Sequence, residues 1–138
     1  MNISDGIKLF NDGNYFEAHD HFEAMWINSQ GTEQNLYQAL TQISVGFYHL
    51  ISGNYEGAKS QLQKGIDKLK VNSEKIDEIN IPQLLSDLTP LLNELNNPSF
   101  NEKPNLLTKV IPLIKQIIVW LTLTFFSCLL YSIFCNFY

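Results

Sequence analysis

The chain has 138 residues, which is one domain's length and enough to bury a hydrophobic core. Its formal net charge is −5, from 14 acidic residues against nine basic residues, and all nine are Lys. Because Arg supplies the planar fork that grips phosphates and guanine edges, an acidic chain without Arg is a poor candidate for binding nucleic acid.

The two cysteines and the N-terminus bear on the cellular compartment. Cys128 and Cys135 lie in an apolar C-terminal segment, outside any CxxC or Cys/His spacing. Cysteine-ligated structural zinc and a secreted disulfide framework are therefore not expected. The N-terminus has no basic segment followed by an apolar run, so we expect no signal peptide and a protein that is not secreted.

Helical patterns with clear start and stop residues predict an all-α body over residues 1–115. Ser4 is the predicted cap of the first helix, and Asn14 with Glu17 forms a capping-box pattern before the second. Asn54 is a third predicted cap, and Pro82 suits a first helical turn. No stretch alternates with period two, so we expect no sheet and a bundle of five or six helices. The predicted helices cover about residues 4–10, 15–28, 33–52, 55–70 and 82–96.

The sequence contains an internal echo. Gly-Asn-Tyr at 13–15 recurs as Gly-Asn-Tyr at 53–55, forty positions later. At the same offset a small residue and a large apolar residue recur, as Ala18 with Ala58 and Phe22 with Leu62. A turn followed by a helix with a small residue at the approach of a neighbour is typical of tetratricopeptide-like helix pairs.

The helix predicted over residues 15–28 carries the most informative chemistry. His19 and Glu23 are four residues apart, so their side chains can meet, and Phe16 and Trp26 flank them on the same arc. Three interpretations are open: the pair satisfies itself in the core, it helps to bind a divalent metal, or it lines a ligand or catalytic pocket with Glu23 tuning His19 as a base. The residues expected to face solvent are Glu17, Asp20 and His21.

The long helix predicted over residues 33–52 is apolar around most of its circumference, which marks a central helix. Its predicted core residues are Leu40, Ile43, Phe47, Leu50 and Ile51. A stripe of Gln38, Gln42, Val45 and His49 interrupts this pattern. Antiparallel packing would bring the stripe to the His19–Glu23 face of the preceding helix, and the alternative is that it points to solvent.

Three runs resemble a known family. GNYFEAHDHFEAMW at 13–26, YQALTQISVGFYHL at 37–50 and GNYEGAKSQLQKGIDKL at 53–69 are similar to the motifs of the domain-of-unknown-function family numbered 309. The resemblance covers about residues 10–70, and INIPQLLSDLTPLLNEL at 79–95 is similar to the extension of photosynthetic-bacterial and plastid-type members.

This resemblance implies an all-helical bundle, and we expect the protein in the cytoplasm or the plastid stroma. It implies no reaction. Asp20 and Ala39 depart mildly from the family pattern. The residues that occupy motif positions are His19, Glu23, Trp26, Gln38, Gln42 and His49.

The tail over residues 116–138 contains no charged residue and is long enough to span a hydrocarbon core, through residues 117–134. Lys109 and Lys115 precede it, which would place the body on the cytoplasmic or stromal side. A C-terminal membrane anchor is one interpretation. A last core helix and an out-of-frame extension are the alternatives.

These observations favour a non-enzymatic binding or interaction module, with a protein partner or a small ligand at the His/Glu/Gln cluster. The second hypothesis is a metal-dependent, hydrolase-like enzyme with a divalent metal as its cofactor. It requires His19, Glu23 and His49 to converge on a metal, with Gln42 or His49 assisting. A cluster that only sets helix register is a third possibility.

Overall fold

The computed structural model describes residues 1–71 and 79–100, which fold into five α-helices and no β-strand. The all-α prediction is confirmed for these residues, and each helix lies within about two residues of its predicted bounds. In chain order the helices are α1 (Ile3–Asn11), α2 (Tyr15–Ile27), α3 (Gly31–Ile51), α4 (Tyr55–Val71) and α5 (Ile81–Leu95).

The predictions for the C-terminal tail, including the membrane span over residues 117–134, lie outside the described residues. Within residues 1–71 and 79–100, no helix combines the length and the apolar character needed to cross a membrane.

Two of the three predicted N-cap residues, Asn14 and Asn54, precede their helices as expected, and one of them makes a capping hydrogen bond. Asn54 Oδ1 accepts a hydrogen bond from the Gly57 amide at 3.0 Å, as expected for an N-cap. The prediction for Ser4 is wrong, because the helix is capped two residues earlier by Asn2, whose extended backbone lets its Oδ1 accept from the Ser4 amide at 3.1 Å. Helix α2 begins after Asn14 as predicted, but the Asn14 side chain makes no capping hydrogen bond.

The internal echo has the same backbone at both turns. Gly13 has φ of 82° and Gly53 has φ of 76°, a left-handed conformation that L side chains adopt only with strain. All four apolar residues of the echo are buried, namely Ala18, Phe22, Ala58 and Leu62. The repeated letters therefore correspond to a repeated turn followed by a helix that buries the same positions.

Helix α3 packs on α2 along one side and on α4 along another, so it is the central helix of the described residues. Its contact with α4 is close, since a Cβ placed on Gly46 would lie 2.8 Å from Leu62 Cγ and one on Gly65 would lie 2.7 Å from Ile43 Cγ1. The two glycines thus permit an approach that any larger residue would obstruct.

Four of the five predicted core residues of α3 are buried, namely Leu40, Ile43, Phe47 and Leu50. The prediction for Ile51 is wrong, because its side chain is 51% exposed. Ile51 is the last residue of α3 and is rotated about 100° from Leu50, which turns it out of the packed side.

Candidate functional site

Helices α2 and α3 run antiparallel, and two aromatic pairs mark the seam between them. The ring centroids of Tyr15 and Phe47 are 5.3 Å apart, and those of Phe16 and Tyr48 are 5.7 Å apart. The first pair is buried, whereas Phe16 is 53% and Tyr48 is 42% exposed. The second pair is therefore the point at which the α2–α3 seam reaches the surface.

The inner pair belongs to a three-ring cluster. The Phe10 ring lies 5.1 Å from both Tyr15 and Phe47, in edge-to-face geometry with each. Burial raises the pKa of the Tyr15 hydroxyl, because the charged phenolate would be poorly solvated there. This cluster joins α1, α2 and α3.

One helical turn from Phe16, three ligand-type side chains of α2 converge. His19 Nδ1 lies 3.0 Å from Asp20 Oδ1, and one ligand atom each from His19, Asp20 and Glu23 fall within 4.8 Å of one another. The His19 ring centroid is 6.0 Å from that of Phe16. We call the surface formed by Phe16, His19, Asp20, Glu23 and Tyr48 the seam face.

The seam face lies in a part of the chain without lysine. Between Lys8 and Lys59 the sequence contains no Lys, and helices α2 and α3 together carry four carboxylates. With neutral histidines the formal charge of these two helices is therefore −4. These carboxylates belong to Glu17, Asp20, Glu23 and Glu33.

The structure brings His19 and Glu23 together as predicted, and the third ligand-type side chain in their group is that of Asp20. Asp20 is exposed, as expected, yet it hydrogen bonds to His19 and completes the only metal-ligating group found within the described residues. His49 is not in this group, and the convergence of His49 with His19 and Glu23 stays a prediction. The spacing i, i+1, i+4 on one helix is sufficient to form the group without α3.

His49 instead belongs to the turn between α3 and α4. Its Nδ1 lies 3.3 Å from Asn54 Nδ2. Because Asn54 Oδ1 accepts from the Gly57 amide, the Asn54 side-chain nitrogen donates to His49 Nδ1, and the neutral ring carries its proton on Nε2. This residue contributes to the cap of α4.

The stripe on α3 is half-buried and lies about 140–180° around the helix from Phe47, the residue that meets Tyr15. Gln42 Oε1 is buried and has no hydrogen-bond partner among the described residues. On α2, Trp26 is half-buried, and its carbonyl accepts from the Ser29 hydroxyl at 3.1 Å. Pairing of the stripe (Gln38, Gln42, Val45, His49) with the His19–Glu23 side of α2 stays a prediction.

Sequence reasoning missed the role of His21, which was expected to face solvent. Its Nε2 donates to the Asn2 carbonyl at 2.8 Å, and a Cβ placed on Gly6 would lie 2.8 Å from its ring. His21 therefore fastens the start of α1 to α2. The signal that could have found it is Gly6, a glycine inside a helix, which often marks a close approach by a neighbour.

Comparison with known proteins gives one match. No curated protein and no solved structure matches the chain significantly. Residues 3–61 match the family described as a domain of unknown function (DUF309), a segment that runs from α1 into α4 and contains the whole seam face.

Proposed function

We propose that this protein is a non-enzymatic binding module and that the seam face is its surface for a protein partner. The observation that carries the proposal is the exposed Phe16–Tyr48 ring pair, with the Phe16 ring centroid 6.0 Å from that of His19 in the His19–Asp20–Glu23 group. Exposed aromatic residues are enriched at interface hot spots, where they bury a large area. Ile51, 51% exposed and three residues from Tyr48, extends the apolar part of this surface.

The buried rings support this proposal because they hold the exposed ones in place. Phe16 and Tyr48 each follow a residue of the inner pair, Tyr15 and Phe47, which lies in the three-ring cluster. A surface that is ordered before binding loses less conformational entropy when a partner arrives. The seam face is thus a pre-organised contact surface.

The finer architecture is part of the same proposal. We infer a bundle of five or six helices with tetratricopeptide-like pairs, for which the repeated turns and buried positions at 13–22 and 53–62 are the support. The α3 stripe is a second contact region in this proposal, supported by the buried, unpaired Gln42 Oε1. In this proposal the contact region comprises Gln38, Gln42 and His49 of α3 together with Trp26 of α2.

Site-specific photo-crosslinking in cells of the source organism tests the proposal. Phe16 is replaced by a photoreactive benzoyl-phenylalanine, and the control carries the same residue at Val71, which is 80% exposed at the end of α4. A discrete adduct is expected from position 16 only, and Tyr48→Ala in the same chain should remove it. Equal adducts at both positions, or none at position 16, would contradict the proposal.

A second candidate function is divalent-metal binding leading to hydrolase-like activity. It is favoured by the ligand atoms of His19, Asp20 and Glu23 within 4.8 Å. Imidazole nitrogen with carboxylate oxygen suits zinc, manganese or iron, and three protein ligands leave a position open for water, as in catalytic sites. A metal here would replace the proton between His19 Nδ1 and Asp20 Oδ1.

Metal content of the purified full chain tests this candidate. Inductively coupled plasma mass spectrometry should find near-stoichiometric metal in the native protein and in Glu17→Gln, whose carboxylate lies on the same helix outside the group. His19→Ala and Glu23→Gln should both lose the metal. A native protein that is metal-free after growth in metal-replete medium would end this hypothesis.

We also propose that the protein acts in the cytoplasm or the plastid stroma, with the tail over residues 116–138 as a membrane anchor. The absence of charge over those residues supports an anchor. Membrane fractionation tests it: the full chain should sediment with membranes and a chain ending at residue 115 should not. Identical distribution of the two chains would refute the anchor.

A further inference from the structure

We infer that the seam face binds a basic segment of its partner, with an Arg side chain lying across Phe16 and Tyr48 and its guanidinium between the carboxylates of Asp20 and Glu23. This inference rests on the proposed function, because it assigns the chemistry of the partner to the same surface. The proposed occupant is a cationic peptide segment, which contacts both the aromatic and the acidic residues of the seam face.

The first support is the charge of the surroundings. In α1 and α4 a Lys of the same helical segment pairs with a carboxylate, as Lys8 with Asp12, Lys59 with Glu56 and Lys70 with Asp67. Helices α2 and α3 contain no Lys, so nothing of this kind neutralises Glu23 or Asp20. An incoming cation would therefore meet carboxylates that no Lys of their own helices neutralises, and their charge also steers its approach.

The second support is the spacing of the acceptors. Oxygen atoms of Asp20 and Glu23 lie within 4.8 Å of each other and of the His19 nitrogen, so two like charges are held close on one helix. His19 engages Asp20 Oδ1 and so orients that carboxylate. A guanidinium presents several N–H donors in one plane and can donate to both carboxylates, which makes strong charge-assisted hydrogen bonds.

The third support is the position of the rings. The Phe16 ring centroid lies 6.0 Å from that of His19, a member of the ligand group, and 5.7 Å from that of Tyr48. Arg is attracted to aromatic faces and covers them with its apolar stem, so one side chain can use both parts of the seam face. A bare metal ion would use the carboxylates and leave the rings without a role.

Fluorescence anisotropy with the full chain tests the inference. The probe is a labelled decapeptide of alternating Arg and Leu, and its matched control has every Arg replaced by citrulline, which keeps the shape and removes the charge. All titrations contain EDTA, so that bridging by a metal is excluded. The Arg peptide is expected to bind at least about tenfold more tightly than the citrulline peptide, the effect of losing one charge-assisted contact.

Four variants localise the binding. Glu23→Gln and Phe16→Ala should each weaken the Arg peptide about tenfold, since one removes an acceptor and the other a ring. Glu17→Gln makes the same charge change on the same helix outside the ligand group, and Ile27→Ala removes another exposed apolar side chain. Both should change the dissociation constant less than about twofold. Unchanged circular dichroism of each variant shows that it is folded.

The outcomes separate the inference from the proposed function. Equal weakening by Glu17→Gln and Glu23→Gln would show attraction to net charge alone and would overturn the inference. Loss of preference for Arg over citrulline would overturn it as well. If no Arg peptide binds while crosslinking from position 16 persists, the cation is refuted and the binding module stands; if the crosslink fails too, both are refuted.

Discussion

The close contact between α3 and α4 predicts how Gly46→Ala changes the free energy of unfolding, and the sign of that change depends on the Leu62 side chain. Gly46→Ala adds a methyl group at a place where Leu62 Cγ and Cδ2 lie 2.8 and 2.9 Å away and the Leu62 amide nitrogen lies 3.3 Å away. The two side-chain distances are shorter than real Cβ contacts, so Leu62, which is fully buried, must move within a packed core. The amide distance alone requires an adjustment of only a few tenths of an ångström.

The magnitude follows from two opposing terms. Replacing Gly by Ala inside a helix gains about 1 kcal/mol of propensity, whereas overpacking a core by one methyl group costs about 1–3 kcal/mol. We therefore expect Gly46→Ala to lower the free energy of unfolding by about 1 kcal/mol. In a Leu62→Ala background the obstructing atoms are gone, and the same change should raise the free energy of unfolding by about 1 kcal/mol. The coupling between the two positions is then about 2 kcal/mol.

Urea unfolding followed by circular dichroism at 222 nm measures all four proteins of this cycle. Their midpoints give the stability changes when the slopes are equal, since a changed slope would report an altered denatured state. Stabilisation by Gly46→Ala in the native background, or the same effect in both backgrounds, would refute the close approach of α4 at Gly46.

Three further predictions concern the caps, the α1 contact and a buried hydroxyl. Asn54→Ala should lower the free energy of unfolding by about 1 kcal/mol, but Asn14→Ala by only a few tenths, because only Asn54 makes a side-chain cap; urea midpoints compare them. His21→Ala should accelerate hydrogen exchange of the α1 amides, since the bond to the Asn2 carbonyl is lost, and unchanged exchange would contradict the contact. Burial raises the pKa of the Tyr15 hydroxyl in the folded protein. As the pH rises past about 10, the hydroxyl therefore ionises in the unfolded chain before it ionises in the folded one, and the free energy of unfolding falls. Tyr15→Phe should therefore show a shallower loss of stability above about pH 10, and equal slopes for the two proteins would contradict this.

Local signals in the sequence predicted the helices well. The turns at Gly13 and Gly53 were predictable because a positive φ is a property of a few neighbouring residues and does not depend on distant ones. Pro82 likewise lies in the first turn of α5 as expected. The convergence of His19 and Glu23 was predictable for the same reason, since an i, i+4 spacing brings two side chains together on any helix.

The predictions from sequence fail where the environment of a side chain depends on which other segment of the chain packs against it. The helical wheel placed His21 and Asp20 on the same solvent side, but α1 covers His21 and leaves Asp20 open beside His19. It could not show that His49 turns to Asn54, because that contact needs the path of the chain after α3.

The sequence by itself determined the helices, their turns, the buried positions of the echo and the lysine-free stretch between Lys8 and Lys59. Only the tertiary structure decided that Phe16 of α2 and Tyr48 of α3 meet at the surface. The physical reason is that helix formation is governed by neighbours along the chain, whereas exposure is governed by which helices pack together and at what rotation.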